Sequence, residues 1–155
     1  MIIVAPANVP QGNYVNAKRH GDLIFTSGMT PRRAGVLALT GAIDSDTPLE
    51  TSQEITVLAA ANALAVARLI IGAHERLSGI LSLTVFIAAN AQFTAHSQLA
   101  DFASEYLQDQ LGHAGVACRA TVGVASLPGG APVEIQLIAT VAPIVADAAD
   151  SGEEV

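Results

Sequence analysis

The sequence predicts an α+β domain, a mixed six-stranded sheet with two helices packed on one face. Short β-branched runs bounded by Gly, Pro and Asp recur along the chain. Only two segments show helical periodicity, in the order β-β-β-α-β-α-β-β. The composition is 51% hydrophobic but only 4% aromatic, so the core has to be built from Ala, Val, Leu and Ile. The 155 residues contain no internal repeat and no linker, which makes one domain the economical reading.

The first two strands read as a hairpin. "NYVNAKRH" leads into "LIFTSGMT" through a turn at His20-Gly21-Asp22. The loop "PRRAG" precedes a third short strand around 36–40. The first helix has a start signal at Thr47-Pro48-Leu49-Glu50, which combines an N-cap, a proline at the first helical position and a capping-box glutamate. Thr51 with Glu54 offers a second start one turn later. Leu58, Asn62, Ala65 and Leu69 recur at helical spacing, and Gly72 is placed to end the helix. "ILSLTVFIA" (80–88) reads as a central strand. A second helix follows over roughly 94–110, with Leu99, Phe102, Tyr106 and Leu107 on one face and Gly112 at its end. Two strands close the domain, at 118–127 and 133–141.

Helices on one side only would leave the other sheet face bare. Val122, Val124, Ile135 and Leu137, or their alternates, would lie there, and both sets are mostly apolar. A monomer rarely exposes so large a patch, so a closed homo-oligomer is expected.

The charge pattern excludes several classes. Fourteen acids face seven bases, for a net charge of −7, and Lys18 is the only lysine. No basic stripe is interleaved with aromatics, so nucleic acid is a poor partner. Residues 144–155 hold Asp147, Asp150, Glu153 and Glu154 and read as a disordered acidic tail after a single domain over 1–143. The apolar stretch "ITVLAAANALAVARLIIGA" is interrupted by Asn62 and Arg68, and suits a buried helix better than a membrane span. The N-terminus has prolines at 6 and 10 and no basic region before a long apolar run, which is unlike a signal peptide. With a single cysteine, no internal disulfide is possible; the expectation is a cytoplasmic protein.

No metal site is expected. The four histidines (20, 74, 96, 113) show neither HxH nor HExxH spacing, and Asp44-Ser45-Asp46 lacks the remaining ligands of a calcium loop. Cys118 should point to the sheet face opposite Arg119, as a buried thiol.

Arg119 and Glu134 stand out as the charged residues of the last two strands. In a tight hairpin through "PGG" they would be separated by roughly 20 Å or more at about 3.3 Å per residue. They could meet only if the two strands are not neighbours, or if a second subunit supplies one of them. Otherwise they are a structural pair or edge charges facing water.

"SGMTP" (27–31), "CRATVGVASLPGGAPVEIQLIA" (118–139) and Gly12-Asn13-Tyr14 resemble the RidA/YjgF family, over about 12–142. The resemblance implies a chorismate-mutase-like fold and a homotrimer with clefts between subunits. It also implies hydrolysis of small enamine and imine acids to 2-keto acids and ammonia without a cofactor. By resemblance, Arg119 binds the substrate carboxylate and Glu134 positions or activates water. Tyr14, Ser27 and Gly28 line the cleft, and Thr121 and Ser97 stand where the archetype has cysteine and asparagine. Met29 replaces a glutamine. Met29 and Thr121 imply a less polar cleft and a preference for imines of apolar amino acids. The alternative is a non-catalytic trimer that binds keto or amino acids; a ribonuclease fits the acidic composition poorly.

Overall fold

The computed structural model describes residues 9–146. Asp147, Asp150, Glu153 and Glu154, expected in a disordered tail, lie outside the described residues.

Strands β1 (Ala17–His20) and β2 (Leu23–Thr26) form the expected hairpin. Gly21 turns it with φ of 57°, a left-handed value that glycine adopts without steric cost. The third strand departs from expectation. β3 (Arg32–Arg33) pairs with β4 (Val36–Leu37) in a separate two-stranded ribbon. Ala34 and Gly35, with φ of 49° and 80°, fold the chain straight back, so the segment joins its own neighbour instead of the main sheet. The main sheet therefore has five strands.

The first helix also starts later than its signal. Pro48 is the cap of a short 3-10 turn, Leu49–Ser52, and no side chain caps it; α1 runs over Gln53–Arg68. Its buried stripe is Thr56, Ala59, Ala60, Ala63 and Ala67, while Ala65 and Leu69 face out. Small residues on that stripe let the helix lie close to the sheet. Buried Asn62 donates to Thr30 O and Arg32 O, 3.0 Å each, and fixes the helix to the loop after β2. Gly72 lies beyond the helix and donates its N–H to Glu75 Oε2 at 2.7 Å.

β5 (Glu75–Ala88) is the central strand, and α2 (His96–Leu111) follows it, ending at Gly112. Then come β6 (Cys118–Val124) and β7 (Val133–Pro143). The sheet order is β1-β2-β7-β5-β6. β5 is antiparallel to β7 and parallel to β6, so the last two strands are not neighbours. A parallel pair needs a long crossover, and α2 supplies it.

Leu83, Val85 and Ile87 of β5 point toward the helices, as do Val133, Ile135 and Leu137 of β7; each is at most 1% exposed. The opposite face carries Phe25, Phe86, Val122, Val124 and Ile138. The apolar bare face is there, but Ile135 and Leu137 belong to the core instead of to it. Cys118 also lies on the bare face and is exposed, which corrects the expected buried thiol. It sits on edge strand β6, where no strand covers it; its Sγ approaches Leu81 O at 2.9 Å.

Arg19 on β1 holds Glu75 at the start of β5 through two bonds, of 2.6 and 2.9 Å. The guanidinium and the Gly72 N–H bring the Glu75 carboxyl down to about 2. A depressed carboxyl adds stability above its ordinary value of 4.5, and that stability is lost as pH falls toward about 2. Chemical denaturation should show Glu75→Gln less stable than wild type at pH 7, with the gap narrowing below about pH 4.5.

Candidate active site

The site residues fall into two groups, and strand alternation decides which residue joins which. Glu134 pairs with Phe86 in the β5–β7 register and shares its bare face. Arg119 pairs with Leu83 in the β5–β6 register and shares its helix face. The two residues are three rows apart, roughly 10 Å along the strands, and two strand spacings apart, roughly 10 Å more across the sheet. Their side chains leave opposite faces. Within one copy of the chain they do not meet.

Glu134 sits in the first group. Tyr14, Ser27, Gly28, Pro128 and Glu134 line a cavity of about 290 Å³. Gly28 is required there by close approach. A Cβ at position 28 would collide with the Glu134 carboxylate, falling 2.6 Å from Cδ and 2.9 Å from Cγ. Ser27 Oγ donates to Val15 O at 2.6 Å, and Ser27 N–H donates to Asn16 O at 2.7 Å. The serine thereby anchors the segment that carries Tyr14. The Tyr14 hydroxyl accepts from Gln11 N–H at 3.2 Å and the ring is half exposed. Met29 is 5% exposed and belongs to the core; it does not line this cavity but lines an adjoining crevice with Tyr14 and Gly28.

The Glu134 carboxylate has no hydrogen-bond or ion-pair partner among the described residues. Burial pushes its carboxyl above the ordinary value. Two larger clefts lie elsewhere, of about 460 Å³ on α1 and 470 Å³ near the helix ends. In those clefts Glu54 and Glu75 are paired with Arg33 and Arg19. The smaller cavity is the better candidate because its carboxylate is unpaired and partly desolvated.

Arg119 anchors the second group. Its Nη1 donates to Asp101 Oδ1 at 2.8 Å and to Ser104 Oγ at 2.9 Å. Its Nη2 donates to Ser97 Oγ at 2.9 Å and to Ser97 O at 3.3 Å. Thr121 lies two residues further along β6 on the same face, and Gly123 follows. The His96 ring fills the space over Gly123, with Nε2 2.6 Å from where a Cβ would stand, and packs edge-on against Phe93 at 4.9 Å. Asp101, Ser104 and His96 were missed from the sequence. A signal was present for two of them: Ser97, Asp101 and Ser104 follow i, i+4, i+7 spacing, one polar stripe on α2.

A family model described as Endoribonuclease L-PSP matches residues 4–141, and the chain belongs to this RidA/YjgF family. It is 32% identical to Atu1372 of Agrobacterium tumefaciens, a protein of unknown function, with a TM-score of 0.78 over 88% of this chain and 85% of that one. It is 28% identical to Protein TCP17 of Trypanosoma cruzi over 85% of this chain and 83% of that protein. A structure of E. coli TdcF with bound serine shares the fold, at 24% identity and a TM-score of 0.64 over 86% of this chain and 92% of that one.

The raised Glu134 carboxyl makes a signed prediction. A group whose folded value lies above its unfolded one costs no stability in acid, and the cost appears as pH rises through the carboxylate range. Glu134→Gln should therefore raise the melting temperature at pH 7 and leave it unchanged near pH 4, measured by scanning calorimetry.

Proposed function

We propose that the protein hydrolyses small reactive enamine and imine acids to 2-keto acids and ammonia, in clefts between copies of the chain in a homotrimer. The observation that carries this reading is the unpaired, half-buried Glu134 in a small cavity, with a guanidinium offered from the opposite sheet face. A complete site then requires Glu134, Tyr14, Ser27 and Gly28 from one copy and Arg119, Thr121 and Ser97 from another. The apolar bare face supports such an assembly.

Arg119 takes the substrate carboxylate through its planar donors, which lysine cannot imitate. The imine carbon then faces water beside Glu134. The carboxylate accepts a proton as water adds to the C=N carbon, giving a carbinolamine. The same proton returns to nitrogen; the C–N bond then breaks as the hydroxyl proton passes to the Glu134 carboxylate, so ammonia leaves and the C=O of the keto acid forms. An enamine enters by first taking a proton on its methylene carbon. A carboxyl raised by burial suits these proton transfers. The route calls for no cofactor or metal.

A second reading keeps the same ligand class without turnover. The TdcF structure holds serine, a small amino acid, and Arg119 here is already engaged by Asp101. The acidic composition disfavours ribonuclease activity, whatever the family description says. Among the described residues no helix is long and apolar enough to cross a membrane; we propose a cytoplasmic location.

An amino-acid oxidase can generate a panel of imines, and their loss is followed with and without the protein. Imines of apolar amino acids should be consumed faster than 2-aminoacrylate. Glu134→Gln should slow turnover by roughly 10²-fold or more. Unchanged imine decay with wild type would leave the binding reading.

Arg119→Ala should also lose turnover. Its melting temperature should stay near native, because its ion-pair partner Asp101 is 54% exposed and free to hydrate. Mixed assemblies test the shared site. Arg119→Ala and Glu134→Gln chains, each inactive alone, should regain about a quarter of wild-type activity when randomly assorted into one trimer. No recovery in verified mixed trimers would place both residues in one subunit's site.

A further inference from the structure

The Arg119 guanidinium is already occupied. Nη1 serves two acceptors, Asp101 Oδ1 and Ser104 Oγ, and Nη2 serves two on Ser97. An arginine has five N–H donors. These bonds leave Nε–H as its remaining donor, so an incoming carboxylate finds no free pair of parallel N–H groups. One of the present partners has to leave.

The partners are not equal. Ser97 and Ser104 are neutral, and the Ser97 carbonyl is fixed in the backbone of α2. Asp101 carries the same charge as the proposed ligand. Its side chain is 54% exposed, against 19% for Arg119, and it touches the guanidinium through one oxygen only. A half-exposed, single-contact ion pair contributes little stability. Water readily takes its place on the aspartate side. The serine contacts hold the guanidinium in position without it.

We propose that Asp101 is an internal stand-in for the ligand carboxylate: it holds the Arg119 fork when the site is empty and is displaced from Nη1 when a carboxylate binds. This rests on the reading of Arg119 as the carboxylate-binding residue. The device has two effects. It keeps the guanidinium charge balanced in the empty site, and it sets an affinity threshold that every carboxylate ligand has to overcome. A ligand of the same shape without the charge gains nothing from the exchange.

The test uses the full-length assembled protein and calorimetric titration with 2-oxobutanoate, alongside 2-oxobutanamide as its uncharged counterpart. Asp101→Asn removes the competing charge and keeps the shape. It should bind 2-oxobutanoate about two- to fivefold more tightly than wild type, the size of an exposed ion pair. The amide should show no such gain. Asp101→Ala should behave in the same direction, which separates loss of competition from any property of the new amide.

Equal or weaker binding of the acid by both variants, with wild type binding normally, overturns the stand-in and leaves the proposed function in place. Equal tightening of acid and amide also overturns it, as a change in packing. If neither wild type nor variant binds the acid, the carboxylate role of Arg119 fails together with the stand-in. Tighter binding without any imine turnover sustains the stand-in and removes only the hydrolase reading.

Discussion

The position of β5 between β6 and β7 governs the rest of the molecule. One strand running antiparallel to its C-terminal partner and parallel to its other neighbour fixes two registers at once. Side chains alternate with a period of two, so a register decides which face every residue occupies. Leu83 and Phe86 are three positions apart on β5, an odd number. Their partners Arg119 and Glu134 are therefore sent to opposite faces. A slip of one residue in either pairing would bury Glu134 in an aliphatic core or move Arg119 away from the polar stripe on α2.

The same alternation separates two electrostatic settings. On the bare face, Glu134 has an aromatic neighbour at Phe86 and the close backbone of Gly28, with no cation paired to it among the described residues. Desolvation then acts unopposed. Beneath α2, Arg119 has an acid and two hydroxyls within hydrogen-bond distance. One half of the candidate site holds a proton more tightly than an ordinary carboxyl. The other half holds a cation whose charge is locally balanced. Each is stable as it stands, and the chemistry proposed needs them brought together from different copies.

How much of this was legible in the sequence depended on the range of the interaction. The first hairpin, the central strand and both helices are local patterns and were readable. The ribbon at Arg32–Leu37 was not, because its two left-handed residues include Ala34, which carries no turn signature. The start of α1 was readable only to within one turn: the Pro48 signal marks a 3-10 turn, and the α-helix begins at Gln53, beside the second start at Thr51 and Glu54. For the site, Tyr14, Ser27, Gly28 and Glu134 were named by motif resemblance, and the cavity gathers them. The separation of Arg119 from Glu134 was read from a hairpin that does not form; what keeps them apart is the placement of β5 between their strands and the opposite faces they occupy, which no local pattern shows. Asp101 and Ser104 were visible as a polar stripe, yet nothing local says that an arginine eighteen residues later lies against it.

The last strand of the domain occupies the middle of its sheet. β7 lies between β2 and β5, so no backbone ladder joins the N-terminal hairpin to the rest of the sheet until Val133–Pro143 arrives. On a ribosome, the gap between the hairpin and β5 must wait unfilled until nearly all of the domain has emerged. Such long-range closure is slow, and exposed strand edges during the wait invite pairing between nascent chains. For a domain of this topology, synthesis and folding are consecutive events, and the interval between them is where a chaperone has something to hold.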